Sequence, residues 1–148
     1  MTEIYIQTST KDIRVQKIAK AKYVICATVN GTKHQKDGAV YINNATSKAA
    51  ALAALSEALG RFTRADVIKI YMSDDYVRHM LTMNMLQRWE QNGWHKIRYN
   101  RELKYMPYWK QIKGMLSAHA VNYAGADEIK DNKILNEMKW RLTNVRGN

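Results

Sequence analysis

Cysteine, proline and long apolar runs are scarce in this chain of 148 residues. The single cysteine, Cys26, excludes an internal disulfide framework and a zinc site with several cysteine ligands. One proline and seven glycines exclude a collagen-like or linker-like composition. No apolar run approaches the roughly 18 residues that cross a bilayer, and the first residues lack the layout of a signal peptide. We therefore expect a soluble, cytoplasmic protein without a membrane partner.

Acidic residues are also few, with 13 Asp and Glu against 24 Lys and Arg, so the formal net charge is +11. A hydrophobic content of 46% is enough for one folded domain spanning residues 1–148. Residues 11–36 carry seven basic residues against one acid, and residues 78–113 carry eight against two. A surplus of this size attracts polyanions, which predicts a nucleic acid or an acidic protein as partner.

Aromatic residues accompany the second basic segment: Trp89, Trp94, Tyr99, Tyr105, Tyr108 and Trp109. Basic side chains interleaved with aromatic rings are typical of surfaces that hold phosphates and stack bases. The alternative interpretation is that Trp89 and Trp109 belong to the core and that the lysines only confer solubility.

The first part of the chain has the pattern of three strands. Residues 4–6 form a short apolar strand, residues 22–30 are apolar and β-branched, and residues 38–42 continue after the turn signal Asn30-Gly31. The stretch from Thr10 to Lys22 is basic and free of glycine, and we expect it to be a loop. The pattern predicts a β-meander.

Helical periodicity follows. Residues 44–47 offer helix caps, and apolar side chains then recur at steps of three and four up to Leu59. Residues 67–71 form a strand, residues 73–75 cap a second helix through Trp89, and Pro107 suits the first turn of a third. A last strand at 120–125 and a helix at 129–142 complete the order β-β-β-α-β-α-α-β-α, an α/β class of fold.

The element order and six local segments resemble type-one ribonuclease H. Residues 4–9 are similar to the family's first strand, which ends in Asp-Gly-Ser; residues 44–59 resemble its Thr-Asn-Asn-x-x-Glu segment and helix; residues 71–77 resemble its Thr-Asp-Ser-x-Tyr-Val. Residues 92–94 and 108–111 resemble its basic substrate-binding segment and the helix beyond, and residues 132–137 resemble its final helix. The resemblance implies a mixed five-stranded sheet with helices on both faces.

The family's chemistry requires four carboxylates around two magnesium ions. The resemblance places these positions at Gln7, Lys48, Ser73 and Asn136, so none of the four acids is present. One positive charge replaces four negative charges, and hard cations demand anionic oxygen ligands. The sequence therefore predicts a degenerate member with no catalytic residues, no bound metal and no cofactor.

Neighbouring acids offer the one route to a residual site. Asp74 and Asp75 adjoin Ser73, and we expect them to cap the following helix rather than to bind metal. Glu57 and Glu137 are turned away from the family positions by their helical spacing. Binding a metal through these acids would require several of their side chains to move at the same time. A residual metal-dependent ribonuclease is therefore the least favoured hypothesis.

Lys48 carries two interpretations. It is either a tolerated surface residue on the first turn of its helix or an ammonium that pairs with a phosphate in place of the metal. We predict nucleic-acid contacts at Lys48, at Asn44 and within the two basic segments, at Lys17, Lys20, Arg88, Trp94, Lys96, Arg98, Tyr99, Arg101 and Lys104.

The favoured hypothesis is a catalytically inactive ribonuclease H-like protein that binds an RNA–DNA hybrid or structured RNA through its basic surface. The alternative is an adaptor or inhibitor that docks on an acidic protein.

Overall fold

The computed structural model describes residues 1–95 and 104–144. Within them, five strands and six helices follow the chain. The strands are β1 (Thr2–Thr8), β2 (Gln16–Val29), β3 (Thr32–Ala45), β4 (Val67–Met72) and β5 (Ala120–Tyr123). The helices are α1 (Ser47–Leu59), α2 (Asp75–Thr82), α3 (Met85–Gln91), α4 (Met106–Leu116), α5 (Ala126–Lys130) and α6 (Lys133–Asn144).

The strands form one mixed sheet in the order β3-β2-β1-β4-β5. β2 pairs with β1 and with β3 in antiparallel fashion, whereas β4 pairs in parallel with β1 and with β5. β1 and β4 are therefore parallel neighbours at the centre, and their carboxyl ends meet at one edge of the sheet. The predicted mixed five-stranded sheet is confirmed.

Alternating side chains of β1 divide the core between the two faces of the sheet. Ile4 and Ile6 are fully buried and share a cluster with the apolar side of α1. Tyr5 faces the other way and packs in a second cluster with Leu135 and Met138 of α6. This alternation follows from the two-residue period of a strand, and it confirms helices on both faces.

The sequence correctly predicted a hairpin turn and the first residues of two helices. Asn30 and Gly31 both have positive φ, 52° and 79°, as a two-residue hairpin turn requires. Thr46 caps α1 by accepting a hydrogen bond from the backbone N–H of Ala49. Pro107 lies in the first turn of α4.

Two predicted helices are each divided in the structure. The helix expected from residue 73 to Trp89 is interrupted between α2 and α3, where Asn84 adopts a left-handed conformation with φ of 56°. The helix expected over 129–142 is preceded by the short α5, and α6 begins only at Lys133.

The prediction of a loop from Thr10 to Lys22 is wrong for the second half of this stretch. The connection spans only residues 9–15, and β2 begins at Gln16, so Lys17 and Lys20 lie on a strand. β3 is likewise longer than the predicted segment 38–42. Its exposed edge position removes the apolar alternation by which a strand is recognised.

Candidate nucleic-acid interface

Gln7 and Ser73 come together at the carboxyl ends of β1 and β4. The parallel register aligns Ile6 with Met72, and the N–H of Ser73 donates a hydrogen bond to the carbonyl oxygen of Ile6 at 3.0 Å. Both polar side chains are buried, since Gln7 is 6% exposed and Ser73 is 2% exposed. Two of the four positions taken from the resemblance are therefore neighbours.

The amide of Gln7 connects this edge of the sheet to α6. Its Nε2 donates to the carbonyl oxygen of Leu135 at 3.1 Å, and its Oε1 accepts from the backbone N–H of Thr8 at 3.0 Å. Asn136 is the next residue of α6 and its side chain is exposed. Both ends of the Gln7 amide are thus engaged inside the protein.

Lys48 is the second residue of α1, and its side chain is partly exposed. Its Nζ lies 5.5 Å from the centroid of the Tyr76 ring in α2, a cation–π contact. Ser47, directly before it, is 4% exposed. Among the described residues, neither the Oγ of Ser47 nor that of Ser73 has a hydrogen-bond partner.

The two acids beside Ser73 have structural partners. Asp74 is the N-cap of α2, and its carboxylate accepts a hydrogen bond from the N–H of Val77 at 2.9 Å, which confirms the predicted capping role. Asp75 does not cap; it forms ion pairs with Arg78 at 2.6 Å and with Lys11 at 3.8 Å. The Arg78 guanidinium, followed by Lys11, holds the pKa of the Asp75 carboxyl below its usual value.

Lys11 is the residue at this edge that the sequence did not single out. Its Nζ lies 3.5 Å from the carbonyl oxygen of Ser73 as well as near Asp75. In the sequence it was one of seven basic residues in a segment, and its position depends on how the loop after β1 folds back toward β4. The structure thus places one ammonium directly beside Ser73 and another over Tyr76.

Four other residues that were predicted to contact nucleic acid lie on β2, β3 and α3, and their side chains are exposed or partly exposed. Asn44 is the penultimate residue of β3, with φ of 51°. On β2, Lys17 is exposed and Lys20 is partly buried. Arg88 is exposed on α3, where its guanidinium contacts the sulfur of Met85.

The second basic segment is described only in part. Trp94 is partly buried and packs against the core, so only part of its ring faces outward. Lys104 is exposed, with its Nζ 5.4 Å from the centroid of the Tyr105 ring. The remaining predicted contacts lie outside the described residues: Lys96, Arg98, Tyr99 and Arg101.

Two features are absent from the described part of the chain. Residues 1–95 and 104–144 contain no group of three or more His, Cys, Asp or Glu side chains placed to hold a metal ion. In the same ranges, no helix has the length and apolar character needed to span a membrane.

No protein-family model and no curated protein sequence matches this chain. Solved structures do match it. LC9-RNase H1, a type 1 RNase H with the type 2 active-site motif, is 19% identical with a TM-score of 0.66, over 92% of this chain and 68% of that one. The RNase H domain of prototype foamy virus is 18% identical with a TM-score of 0.60, over 95% and 90%.

A third match is LC11-RNase H1, whose structure is of a complex with an RNA/DNA hybrid. It is 13% identical to this chain with a TM-score of 0.51, over 96% of this chain and 99% of that one. Likeness at these identities concerns the fold, which is ribonuclease H-like, as the resemblance of the local segments predicted.

Proposed function

We propose that this ribonuclease H-like protein binds an RNA-containing duplex, an RNA–DNA hybrid or structured RNA, at the carboxyl ends of β1 and β4, and that it does not cleave it through bound metal ions. The observation that carries the proposal is the charge at this edge. Neutral Gln7 and Ser73 occupy its centre. The ammonium group of Lys11 contacts the Ser73 carbonyl oxygen, and that of Lys48 lies over the ring of Tyr76, three residues after Ser73.

The donor atoms at this edge do not fit a pair of divalent cations, the arrangement that the fold family implies. Hard cations prefer anionic oxygens, whereas the amide oxygen of Gln7 already accepts a backbone N–H. The carboxylate of Asp74 caps α2, and that of Asp75 is shared between Arg78 and Lys11. No hydrolytic step is therefore assigned to these residues.

The same groups are suited to a nucleic-acid backbone. The exposed ammonium of Lys11 offers a charge-assisted contact to a phosphate oxygen, and the net charge of +11 attracts a polyanion at long range. The partly exposed Tyr76 ring, with Lys48 over it, adds a flat surface for a sugar or base. The structural likeness to an enzyme solved with an RNA/DNA hybrid favours the RNA-containing duplex.

The predicted contacts of the second basic segment belong to the same proposal. Lys96, Arg98 and Arg101 would bind phosphates, and Tyr99 would stack on a base. Lys104, which is exposed beside Tyr105, would extend this surface from the start of α4.

Binding is tested with fluorescently labelled RNA–DNA hybrid, duplex RNA, duplex DNA and single strands, at two salt concentrations and in EDTA. We expect the RNA-containing duplexes to bind most tightly and their affinity to fall steeply with salt. Lys11→Gln and Lys48→Gln should each weaken binding. Each should also reduce, by about one, the magnitude of the slope of log affinity against log salt concentration.

Lys33→Gln is the matched control. Lys33 is an exposed lysine on β3, opposite Thr28 and near the Asn30-Gly31 turn, at the other end of the sheet from Gln7. The Lys33→Gln variant removes the same single positive charge and should leave the salt dependence of hybrid affinity nearly unchanged. Affinity that does not depend on salt would refute the binding proposal, and cutting of the hybrid in Mg²⁺ or Mn²⁺ would refute the absence of cleavage.

A further inference from the structure

An open cleft lies where β1 begins, at the end of the sheet opposite Gln7. Its volume is about 300 Å³, which is at the small end of the range for ligand-binding pockets. Its sides are formed by the end of β2, the facing part of β3 and residues 61–64, the segment that follows α1. None of the described residues proposed to contact nucleic acid lines this cleft. It is therefore a separate feature of the protein.

Apolar side chains form the floor of the cleft. Ile25, Ala27 and Val29 are alternate residues of β2, so all three lie on the face of the sheet that α1 covers. The exposed fraction rises from 7% at Ile25 to 52% at Val29, which shows that this cover ends within the cleft. Phe62 lines one side and packs against the core. The floor therefore suits a flat apolar group of a ligand.

Cationic side chains surround this floor. Lys36 lies on β3, and Arg61 and Arg64 follow the end of α1. Within residues 1–95 and 104–144, none of these three side chains forms an ion pair with a carboxylate. Arg61 is held by neutral oxygens, because its Nη1 donates to the hydroxyl of Tyr23 at 2.9 Å and to the carbonyl oxygen of Asp37 at 3.4 Å. The charge of the three side chains is thus available to a ligand.

The acids near the cleft do not cancel this charge. Asp66 lines the cleft, and its carboxylate accepts hydrogen bonds from the hydroxyl of Thr2 and, at 2.7 Å, from the N–H of Val67. Glu57 on α1 faces the hydroxyl of Tyr23 and does not line the cleft. Three cations and one engaged acid therefore border an apolar floor, and the chemistry that complements them is an anion attached to an apolar group.

We propose that this cleft binds a small organic anion, a flat apolar group that carries a carboxylate or a phosphate. The apolar group lies on Ala27 and Val29, and the guanidinium groups of Arg61 and Arg64 bind the anion. Guanidinium groups suit both kinds of anion, since their N–H groups form paired hydrogen bonds with two oxygens. The inference is independent of the proposed nucleic-acid binding, which uses the opposite end of β1.

Three naphthalene compounds test the proposal: naphthoate, naphthyl phosphate and the neutral naphthalenemethanol. Each is titrated into the protein while two-dimensional amide NMR spectra are recorded. We expect both anions to shift the signals of residues 25–29, 34–36 and 61–66, and to bind at least about tenfold more tightly than the neutral alcohol. Inorganic phosphate should bind more weakly than naphthyl phosphate, because it lacks the apolar group. The tighter of the two anions identifies the acidic group that the cleft prefers.

Variants separate the charge of the cleft from its shape. The double variant Arg61→Gln, Arg64→Gln should weaken binding of both anions about tenfold and leave the neutral alcohol unchanged. Ala27→Leu fills part of the cleft without changing its charge and should weaken binding of all three naphthalene compounds. The matched control is Lys130→Gln, Lys139→Gln, which removes two positive charges from exposed positions on α5 and α6 and should leave binding unchanged.

Four results would overturn the inference. Two concern charge: equal affinity for the anions and the neutral alcohol, or anion affinity that survives the loss of Arg61 and Arg64. The third is a set of amide shifts confined to other parts of the protein. The fourth is the absence of binding by the wild-type protein at millimolar concentrations of both anions.

Discussion

Exchanging Gln7 for glutamate changes one buried amide into a carboxyl of nearly the same shape and tests how the carboxyl end of β1 is held. The amide nitrogen donates to the carbonyl oxygen of Leu135 at 3.1 Å, so an ionised carboxylate would bring two acceptors together at that distance. The residue is only 6% exposed, and water cannot readily replace the lost donor. Lys22, opposite Gln7 on β2, is already paired with Asp37 at 3.3 Å.

Burial and the facing carbonyl both raise the pKa of the introduced carboxyl above the usual value of a glutamate. Each unit by which the pKa is raised corresponds to about 1.4 kcal/mol of unfolding free energy when the group is ionised, and we expect a loss of roughly 2 kcal/mol. Below about pH 4 the carboxyl is protonated in both states and can donate to Leu135 as the amide did, so the variant should match the wild type. The destabilisation should grow as the pH rises and be complete above about pH 7.

Thermal unfolding of both proteins at pH 4 and at pH 8 measures this effect. We expect a melting temperature lower by roughly 5–8 °C at pH 8 and little changed at pH 4. Gln111→Glu, on the exposed side of α4, makes the same chemical change in solvent and should shift stability by less than about 0.5 kcal/mol. An equal loss at both pH values, or no loss at either, would refute the assigned contact between Gln7 and Leu135.

Two further predictions concern stability and are checked by denaturant unfolding. Asp74→Ala removes the cap that accepts the N–H of Val77 and should cost about 1 kcal/mol; no change would mean that α2 is not capped in this way. Gly38→Ala should cost about 1–3 kcal/mol, because its Cβ would lie 2.5 Å from the ring of the buried Tyr23. Gly114→Ala lies in the last turn of α4, where no atom outside the helix's own backbone is within 4 Å of the new methyl group, and it should instead stabilise by about 0.5–1 kcal/mol. A reversed order of the two glycine variants would contradict the packing.

Turn and cap chemistry explains the parts of the fold that were predicted correctly. The Asn30-Gly31 pair adopts the two positive φ angles that its residue types favour, and Thr46 uses its hydroxyl as helix caps do. Pro107 lies in the first turn of the third predicted helix, and Trp109, Ile112 and Leu116 follow it at steps of three and four residues and are all buried. These features depend on interactions between residues close in the chain.

Elements whose pattern was set by distant contacts were predicted less well. β3 is 14 residues long and mostly exposed, so its sequence is too polar to show where the strand begins. The helix after β4 breaks because Asn84 adopts a left-handed conformation with φ of 56°, which an asparagine tolerates but does not require.

At the candidate site, the sequence by itself determined which residues lie at the carboxyl ends of the two central strands, and therefore that Gln7 and Ser73 would be neighbours once those strands paired in parallel. It also determined that these positions are neutral and that the chain is strongly basic. Only the tertiary structure decided that the Gln7 amide bonds to α6 and that Lys11 folds back to Ser73. Those contacts join residues 128 and 62 positions apart, and their formation depends on the packing of whole elements rather than on any local preference.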